Sequence, residues 1–178
     1  DVYKRQPLVL KVDSEKIVHK TEAGGVSVNL KDKEELISSY KDMAKKFDKE
    51  KPGFILQPYL GGGKEVIIGA KANVGLKPTI IFGLGGIFVE VLKDVQFRLA
   101  PLSEEEAAEM IHSIKGRPIL EGARGEKPID KEKLTEVLIR VSQLVLDFPE
   151  IEEMDLNPVF AFEKGKGALV IDTRLKVR

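Results

Sequence analysis

The segment 153–174 constrains the fold of this chain most, because a glycine turn within it determines how two strands pair. Apolar residues flank the turn on both sides, which is typical of a β-hairpin. Glycine supplies the positive φ that a two-residue turn needs, so the turn falls at Lys164–Gly165 or at Gly165–Lys166. A two-residue loop then places Asp172 opposite or diagonal to Asn157.

The same hairpin gathers oxygen donors for a cation. Asp155 and Asn157 are two residues apart, so on a strand both side chains lie on one face. Asp172 joins them from the other strand. Two carboxylates and an amide oxygen, with no His or Cys nearby, suit Mg²⁺ or Mn²⁺. The alternative is a hairpin whose strand ends carry a solvated Asp–Asn pair.

The rest of the chain combines short apolar or alternating segments with amphipathic helices. The predicted strands are 7–12, 26–30, 53–59, 65–71 and 78–82. Helices are predicted after Asp32, Ser103 and Asp130, where a capping residue precedes an apolar stripe of helical spacing. This interspersion predicts an α+β fold in two lobes.

The glycine triplet 61–63 marks a natural boundary between the lobes. We expect a small lobe over residues 7–57 and a large lobe over residues 58–178, which carries the hairpin. Residues 1–6 have no periodicity that links them to the first strand. They are therefore predicted to be a foreign or disordered N-terminus.

The charge balance narrows the class of partner. Lys and Arg number 29, and Asp and Glu also number 29, so no basic footprint points to nucleic acid or to an acidic membrane surface. Partners are expected to be proteins and small anions. The chain has no Cys, which excludes disulfides and thiol catalysis. Because no apolar run has membrane-spanning length and no signal peptide is visible, a cytoplasmic location is expected.

A glycine-rich segment follows the strand 78–82. Gly83, Gly85 and Gly86 leave backbone N–H groups unencumbered, so these groups can approach an anion such as phosphate. No Gly-Lys-Ser/Thr sequence follows, so the segment is not a Walker loop. A generic turn is the alternative. Glu90, expected on the next strand, can reach a bound cation or be an ordinary surface carboxylate.

A short loop between the first two strands carries His19, Lys20, Gly24 and Gly25. Imidazole can attack a phosphorus centre at neutral pH, which makes His19 a candidate phosphoryl acceptor. The alternative is a solvated loop histidine. Lys11 lies within a buried strand, where a charge is costly unless an anion meets it. Its alternative is a lysine that snorkels at a strand edge.

Four stretches of the chain, taken together, resemble one known family. They are HKTEAGGV from His19, GLGGIFVEVLKDVQFRLAPL from Gly83, PILEGARG from Pro118 and DFPEIEEMDLNPV from Asp147. This combination resembles the ATP-grasp domain of the ADP-forming acetyl-CoA (acyl-CoA) synthetase beta subunits, relatives of the succinyl-CoA synthetase beta subunit. The resemblance runs from Pro7 to the end. It implies an ATP-grasp fold in which two α+β lobes clamp a nucleotide, with the small lobe N-terminally truncated.

The resemblance also implies roles for individual residues. Lys11 would face the ATP phosphates, Gln57–Leu60 would form the hinge against adenine, and Glu65 would meet the ribose. His19 matches a histidine that carries a phosphoryl group from a partner's phosphohistidine to ADP. The metal positions are Asp155, Asn157 and Asp172. The residues expected at ATP or ADP are Lys11, Lys20, Gly24, Gly25, Gln57, Tyr59, Leu60, Glu65, Gly85 and Gly86.

The resemblance implies an acid–CoA ligase, namely the nucleotide-binding subunit of an ADP-forming acyl-CoA synthetase or a fragment of it. With Mg²⁺ it would transfer phosphoryl between a phosphohistidine and ADP or ATP, beside a CoA-binding alpha subunit or domain in a hetero-oligomer. Two alternatives stay open: a regulatory ATP-grasp-like domain of a protein acetyltransferase, and a non-catalytic assembly module. Retention of His19 with all three metal positions argues against the first.

Overall fold

The structure is a computed structural model that describes residues 6–14, 17, 20–21, 23–86 and 94–178. The chain divides into two compact units, Asp1–Gly61 and Gly62–Arg178, at the predicted glycine triplet. Each unit has its own hydrophobic core. Both combine an antiparallel sheet with helices, so the predicted mixed α+β class is confirmed.

In the part of the chain that the structure describes, the first unit is a three-stranded antiparallel sheet with one helix. Its elements are β1 (Leu8–Asp13), β2 (Val26–Leu30), α1 (Lys33–Lys46) and β3 (Gly53–Pro58), and the strand order is β2-β1-β3. The Asp32 carboxylate accepts the N–H of Glu35 at 2.8 Å and thereby caps α1. The helix packs on β1, where Met43 joins Leu10 and Val12 in the core.

The second unit is built on a larger antiparallel sheet. Its strands are β4 (Lys64–Asn73), β5 (Leu76–Leu84), β6 (Val95–Leu99), β7 (Ile151–Ala161), β8 (Ala168–Val170) and β9 (Thr173–Val177). They lie in the order β6-β5-β4-β7, and β8 and β9 both pair with β7. The strand that carries Asp155 and Asn157 therefore has β4 on one side and the returning segments on the other.

Helices cover one face of this sheet. They are α2 (Glu104–Ser113), α3 (Arg117–Leu120), a 3₁₀ turn (Ala123–Gly125) and α4 (Lys131–Asp147). Ser103 and Glu106 form the predicted capping box of α2, and Asp130 caps α4. Ile68 and Phe82 are fully buried beneath the helices. None of the helices within the described ranges is long and apolar enough to span a membrane.

Strand alternation places the candidate site on the other face. Met154 and Leu156 of β7 lie in the core, so Asp155 between them lies on the face opposite the helices. Gly69 of β4 is paired with Asp155 and lies on that second face as well.

The five strands predicted outside the hairpin are confirmed, and two further strands, β6 and β9, lacked a prediction. Both have the alternation of apolar and polar residues that is typical of strands: Val-Gln-Phe-Arg-Leu in β6 and Thr-Arg-Leu-Lys-Val in β9. β9 begins after a short break at Ile171 and Asp172, and it pairs with β7 again. The hairpin is therefore longer than predicted.

Candidate functional site

The turn of the C-terminal hairpin lies where the glycine pattern predicts it. The Lys166 N–H donates to the Glu163 carbonyl at 2.8 Å, which closes a turn with Lys164 and Gly165 at its centre. Gly165 has a φ of 83°, the positive value that favours glycine. The predicted two-residue turn is confirmed, and of its two predicted positions the structure has Lys164–Gly165.

This turn sets the register of everything that follows it. Val159 pairs with Val170, and the Asn157 N–H donates to the Asp172 carbonyl at 3.1 Å. Asp172 therefore lies opposite Asn157, which is one of the two predicted positions. One step further along the two strands, Asp155 pairs with an arginine, Arg174. The hairpin thus brings together all three predicted metal ligands and adds a cation beside them.

The electrostatics of Asp155 reflect these neighbours. The carboxylate reaches solvent, but the surrounding protein removes part of its hydration, and this desolvation raises its pKa above the ordinary value. The nearby Arg174 and a hydrogen bond from the Asn157 side chain act in the opposite direction, whereas the negative charge of Asp172 raises the pKa further. Asp155, Asn157, Asp172 and Arg174 are hereafter called the acid–arginine cluster.

A β-bulge shapes the strand at this cluster. Val66 of β4 pairs with Val159, but Ile68 pairs with Leu156, so two residues of β7 face one residue of β4. The alternation of buried side chains along β7 shifts at the same point, because Leu156 and Val159 are both in the core. Asn157 lies on the exposed side of the sheet with Asp155, and the bulge that follows it returns Val159 to the core. The sequence prediction missed it, although the spacing of Leu156 and Val159 departs from strict alternation.

The chemistry of the cluster fits a hard cation. Carboxylate and amide oxygens are the ligands that Mg²⁺ takes from proteins, and the remaining positions are usually filled by water and phosphate oxygens. Within the ranges that the structure describes, no three His, Cys, Asp or Glu side chains gather as a metal site. A cation at the cluster would therefore depend on the Asn157 amide together with Asp155 and Asp172, and this ligand set stays a prediction.

Gly85 and Gly86 pack against Glu65. The Gly85 N–H donates to the Glu65 carbonyl at 2.7 Å, and a Cβ at Gly85 would lie 2.9 Å from the Glu65 Cβ. A Cβ at Gly86, whose φ is +63°, would lie 3.4 Å from a Glu65 carboxylate oxygen. The glycines therefore make room for Glu65. Because the Gly85 amide already has an acceptor, it does not point to an open anion site in this structure.

In the first unit, Lys11 occupies the central strand. It pairs with Val26 on one side and Ile55 on the other, and its side chain is 8% exposed. Gln57 is opposite Val9, so it lies on the same face of the sheet as Lys11. The structure thus places two of the predicted nucleotide contacts on one face.

The segment after β3 continues its pairing with β1. The Tyr59 N–H donates to the Pro7 carbonyl at 2.8 Å. The side chains of Tyr59 and Leu60 are both exposed. These two predicted hinge residues are therefore accessible on the surface of the first unit, and their contact with adenine stays a prediction.

The glycines of the loop between β1 and β2 differ in their environment. Gly25 accepts the Val12 N–H at 2.8 Å and donates to the Lys20 carbonyl at 2.6 Å. A Cβ at Gly25 would lie 2.5 Å from the Val12 side chain, so close packing requires glycine there. Gly24 has a φ of +68°. His19 and Glu90 lie outside the described residues.

Comparisons with known proteins agree on one family for this chain. A family model described as an ATP-grasp domain matches residues 4–177. The beta subunit of acetate–CoA ligase [ADP-forming] I from Pyrococcus furiosus is 45% identical over 174 residues, which cover 95% of this chain and 74% of that protein. The 4-hydroxybutyrate–CoA ligase [ADP-forming] of Nitrosopumilus maritimus is 50% identical over 174 residues. This chain covers only 25% of the length of the Nitrosopumilus ligase.

A solved structure has the same fold. It is the dinucleotide forming acetyl-coenzyme A synthetase 1 of Ca. Korarchaeum cryptofilum in complex with coenzyme A and Mg-AMPPCP, its phosphohistidine segment pointing towards the nucleotide binding site. The match has a TM-score of 0.83 and 42% identity and covers 97% of this chain and 76% of that chain. The chain therefore belongs to the ATP-grasp domain family, within the ADP-forming acid–CoA ligases, and is similar to their beta subunits.

Proposed function

We propose that this chain is the nucleotide-binding part of an ADP-forming acyl-CoA synthetase. The whole enzyme would convert acyl-CoA, ADP and phosphate into a carboxylic acid, CoA and ATP, and would run in either direction. The observation that carries the proposal is the register of the C-terminal hairpin, because it brings Asp155, Asn157 and Asp172 together. The match to beta subunits of acetate–CoA ligases supports it.

The proposed cofactors are ATP or ADP with Mg²⁺, held at the acid–arginine cluster. Bound Mg²⁺ would neutralise phosphate charge that develops during transfer. Lys11 would add a charge-assisted contact to the phosphates. Gln57, Tyr59 and Leu60 would contact adenine, and the Glu65 carboxylate would accept hydrogen bonds from the ribose hydroxyls. Gly85 and Gly86 would serve this site by leaving space for Glu65.

His19 is proposed to relay the phosphoryl group. Its imidazole nitrogen would attack the phosphorus of the partner's phosphohistidine, so that one N–P bond forms as the other breaks. A terminal oxygen of ADP would then attack the same phosphorus and release the imidazole. Lys20, Gly24 and Gly25 lie beside His19 in the sequence, and Lys20 would offset phosphate charge. The phosphohistidine segment of the Korarchaeum synthetase, which points towards the nucleotide binding site, supports phosphoryl transfer from a phosphohistidine to the nucleotide.

The proposed partner is a CoA-binding alpha subunit or domain, with which the chain would form a cytoplasmic hetero-oligomer. Some relatives carry this region as a separate beta subunit, whereas in others it occupies a quarter of a longer chain. In either arrangement the CoA-binding part would supply the acyl phosphate and the phosphohistidine.

One reconstitution experiment tests both the metal site and the relay. The chain is combined with the CoA-binding partner, acyl-CoA, radiolabelled phosphate, Mg²⁺ and ADP. Asp172→Ala should weaken Mg²⁺-dependent binding of AMPPCP about tenfold or more and severely lower ATP formation, because phosphate charge is left uncompensated. His19→Ala should bind AMPPCP normally but lose both ATP formation and the acid-labile label on this chain. The partner should still become labelled.

The matched control is Glu153→Ala. Glu153 lies on the same strand as Asp155 but pairs with Lys71 at 2.9 Å, so its loss should leave nucleotide binding unchanged. Wild-type ATP formation by Asp172→Ala would reject the metal site. Full ATP formation by His19→Ala would reject the relay and leave direct phosphoryl transfer from the partner to ADP as the surviving mechanism. Nucleotide binding without transfer by the wild type would favour a regulatory domain, and no nucleotide binding would favour an assembly module.

A further inference from the structure

Arg174 belongs to the acid–arginine cluster by position. In β9 it pairs directly with Asp155 of β7, and Asp172 lies two residues before it. Side chains two apart on an extended segment share a face, so the guanidinium lies on the same side of the hairpin as the three predicted metal ligands. The sequence analysis assigned no role to this arginine.

The pairing of Arg174 differs from that of the other basic residues nearby. Lys176 and Arg178 both bind Glu152, at 2.7 Å and 3.3 Å. Among the residues that the structure describes, Arg174 forms no direct ion pair, and it attracts the Asp155 carboxylate over a longer distance. Within those described residues, its guanidinium is therefore not committed to a carboxylate of its own.

A cation is an unusual neighbour for a magnesium site. Mg²⁺ with two carboxylates is formally neutral, and a further positive charge within a few ångströms would repel the metal. The arrangement becomes favourable when a polyanion binds with the metal, because arginine presents a planar fork of donors that matches phosphate oxygens. The charge of the cluster thus suits a metal-bound polyphosphate better than a metal alone.

We propose that Arg174 binds the phosphate oxygens of a nucleoside di- or triphosphate that shares the cation held by Asp155, Asn157 and Asp172. In the absence of nucleotide, the same guanidinium offsets the repulsion between the two carboxylates. This inference rests on the proposed function, since it needs a metal–nucleotide complex at the cluster. The inference adds Arg174 to the proposed site as a residue that selects for a polyphosphate ligand.

Calorimetric titration of the full chain tests this assignment with three probes: Mg²⁺ alone, AMPPCP with Mg²⁺, and AMP. Arg174→Gln should weaken AMPPCP binding about tenfold or more, because a charge-assisted contact is lost. The same variant should bind Mg²⁺ alone about two- to fivefold more tightly, because a neighbouring positive charge is removed. AMP binding, which depends little on the outer phosphates, should change less than AMPPCP binding.

Two further variants sharpen the test. Arg174→Lys keeps the charge but not the fork, so it should lose less AMPPCP affinity than Arg174→Gln, and it provides a conservative replacement if the glutamine variant folds poorly. Lys176→Gln is the matched control, since it removes one positive charge from the same strand two residues further from Asp172. It should leave the affinities for Mg²⁺ and AMPPCP unchanged.

Opposite changes in the affinities for Mg²⁺ and AMPPCP support the proposal. Weakening of both by Arg174→Gln would show that Arg174 merely positions Asp155, and unchanged AMPPCP binding would also overturn the proposal. If the wild type binds AMPPCP with Mg²⁺ and Arg174→Gln does so equally well, this inference fails alone. If the wild type does not bind AMPPCP, the proposed function fails with it.

Discussion

At the scale of a single residue, Lys11 is a buried lysine that we propose to contact the phosphates of the nucleotide. It is 8% exposed in the central strand of its sheet, where its ammonium group loses hydration that other groups must replace. Its aliphatic stem packs beside Val26 and Ile55 on the neighbouring strands. An uncharged side chain of similar length could keep this packing and would lose the electrostatic interactions of the ammonium group.

Lys11→Met should therefore lower AMPPCP affinity about tenfold, and this effect should exceed its effect on the free energy of unfolding. Titration with AMPPCP and Mg²⁺ gives the first quantity, and urea unfolding gives the second. Lys45→Met, an exposed position on α1, is the control and should change neither. If Lys11→Met unfolds and its folded fraction binds AMPPCP normally, Lys11 is a structural residue.

At the scale of elements, Asp130 joins a helix to the turn of the hairpin. Its carboxylate accepts the Lys133 N–H at 3.2 Å as the cap of α4, and it also accepts the N–H groups of Gly165 at 2.9 Å and Gly167 at 3.1 Å. Burial alone would raise its pKa, but these backbone donors together lower it below the ordinary value. One buried carboxylate thus stabilises two elements.

Asp130→Asn should cost about 1–3 kcal/mol of stability at pH 7, because an amide cannot accept all of these bonds. A lowered folded-state pKa stabilises the chain above the unfolded-state pKa, near 3.9, and this contribution is lost as the pH falls through the folded-state value. The difference in urea midpoint between wild type and Asp130→Asn should therefore be constant above about pH 5 and shrink below pH 4.

The control is Ser103→Ala, which removes a helix cap that does not contact the hairpin. It should cost about 1 kcal/mol at pH 7, because the cap of α2 is lost. A stability difference for Asp130→Asn that stays constant down to pH 3 would show that the Asp130 charge does not hold the turn.

At the scale of the whole molecule, the two units have separate cores. Leu138 is fully buried in the core of the second unit, and Met43 is buried in that of the first. No residue belongs to both described clusters. Truncation of a buried side chain leaves a cavity and removes contacts only from its own surroundings.

Leu138→Ala should lower stability in the second unit by about 2–5 kcal/mol, and Met43→Ala should do the same in the first. Native-state hydrogen exchange can assign each loss, because amides report the opening of their own cooperative unit. Each variant serves as the control for the other. An equal loss of protection in both units by either variant would show that the chain unfolds as one cooperative domain.

Much of the fold could be predicted from the sequence because the relevant interactions are local. The caps at Asp32, Ser103 and Asp130 each bond to a backbone N–H three residues later. Strand alternation likewise spans only a few residues. β6 had the same alternation as the predicted strands, so a stricter application of that rule to Val95–Leu99 would have found it.

For the candidate site, the sequence alone determined a two-residue turn at Gly165 and placed Asp172 opposite or diagonal to Asn157, because the chemistry of such a turn sets the register of its own strands. The structure selected Lys164–Gly165, which places Asp172 opposite Asn157. Only the tertiary structure decided the bulge of β7 against β4 and the bonds from the Gly165 and Gly167 N–H groups to Asp130. These contacts join segments distant in sequence, and the burial of the whole core selects them. The tertiary structure also decided that β9 pairs with β7 after the break at Ile171 and Asp172, which places Arg174 opposite Asp155.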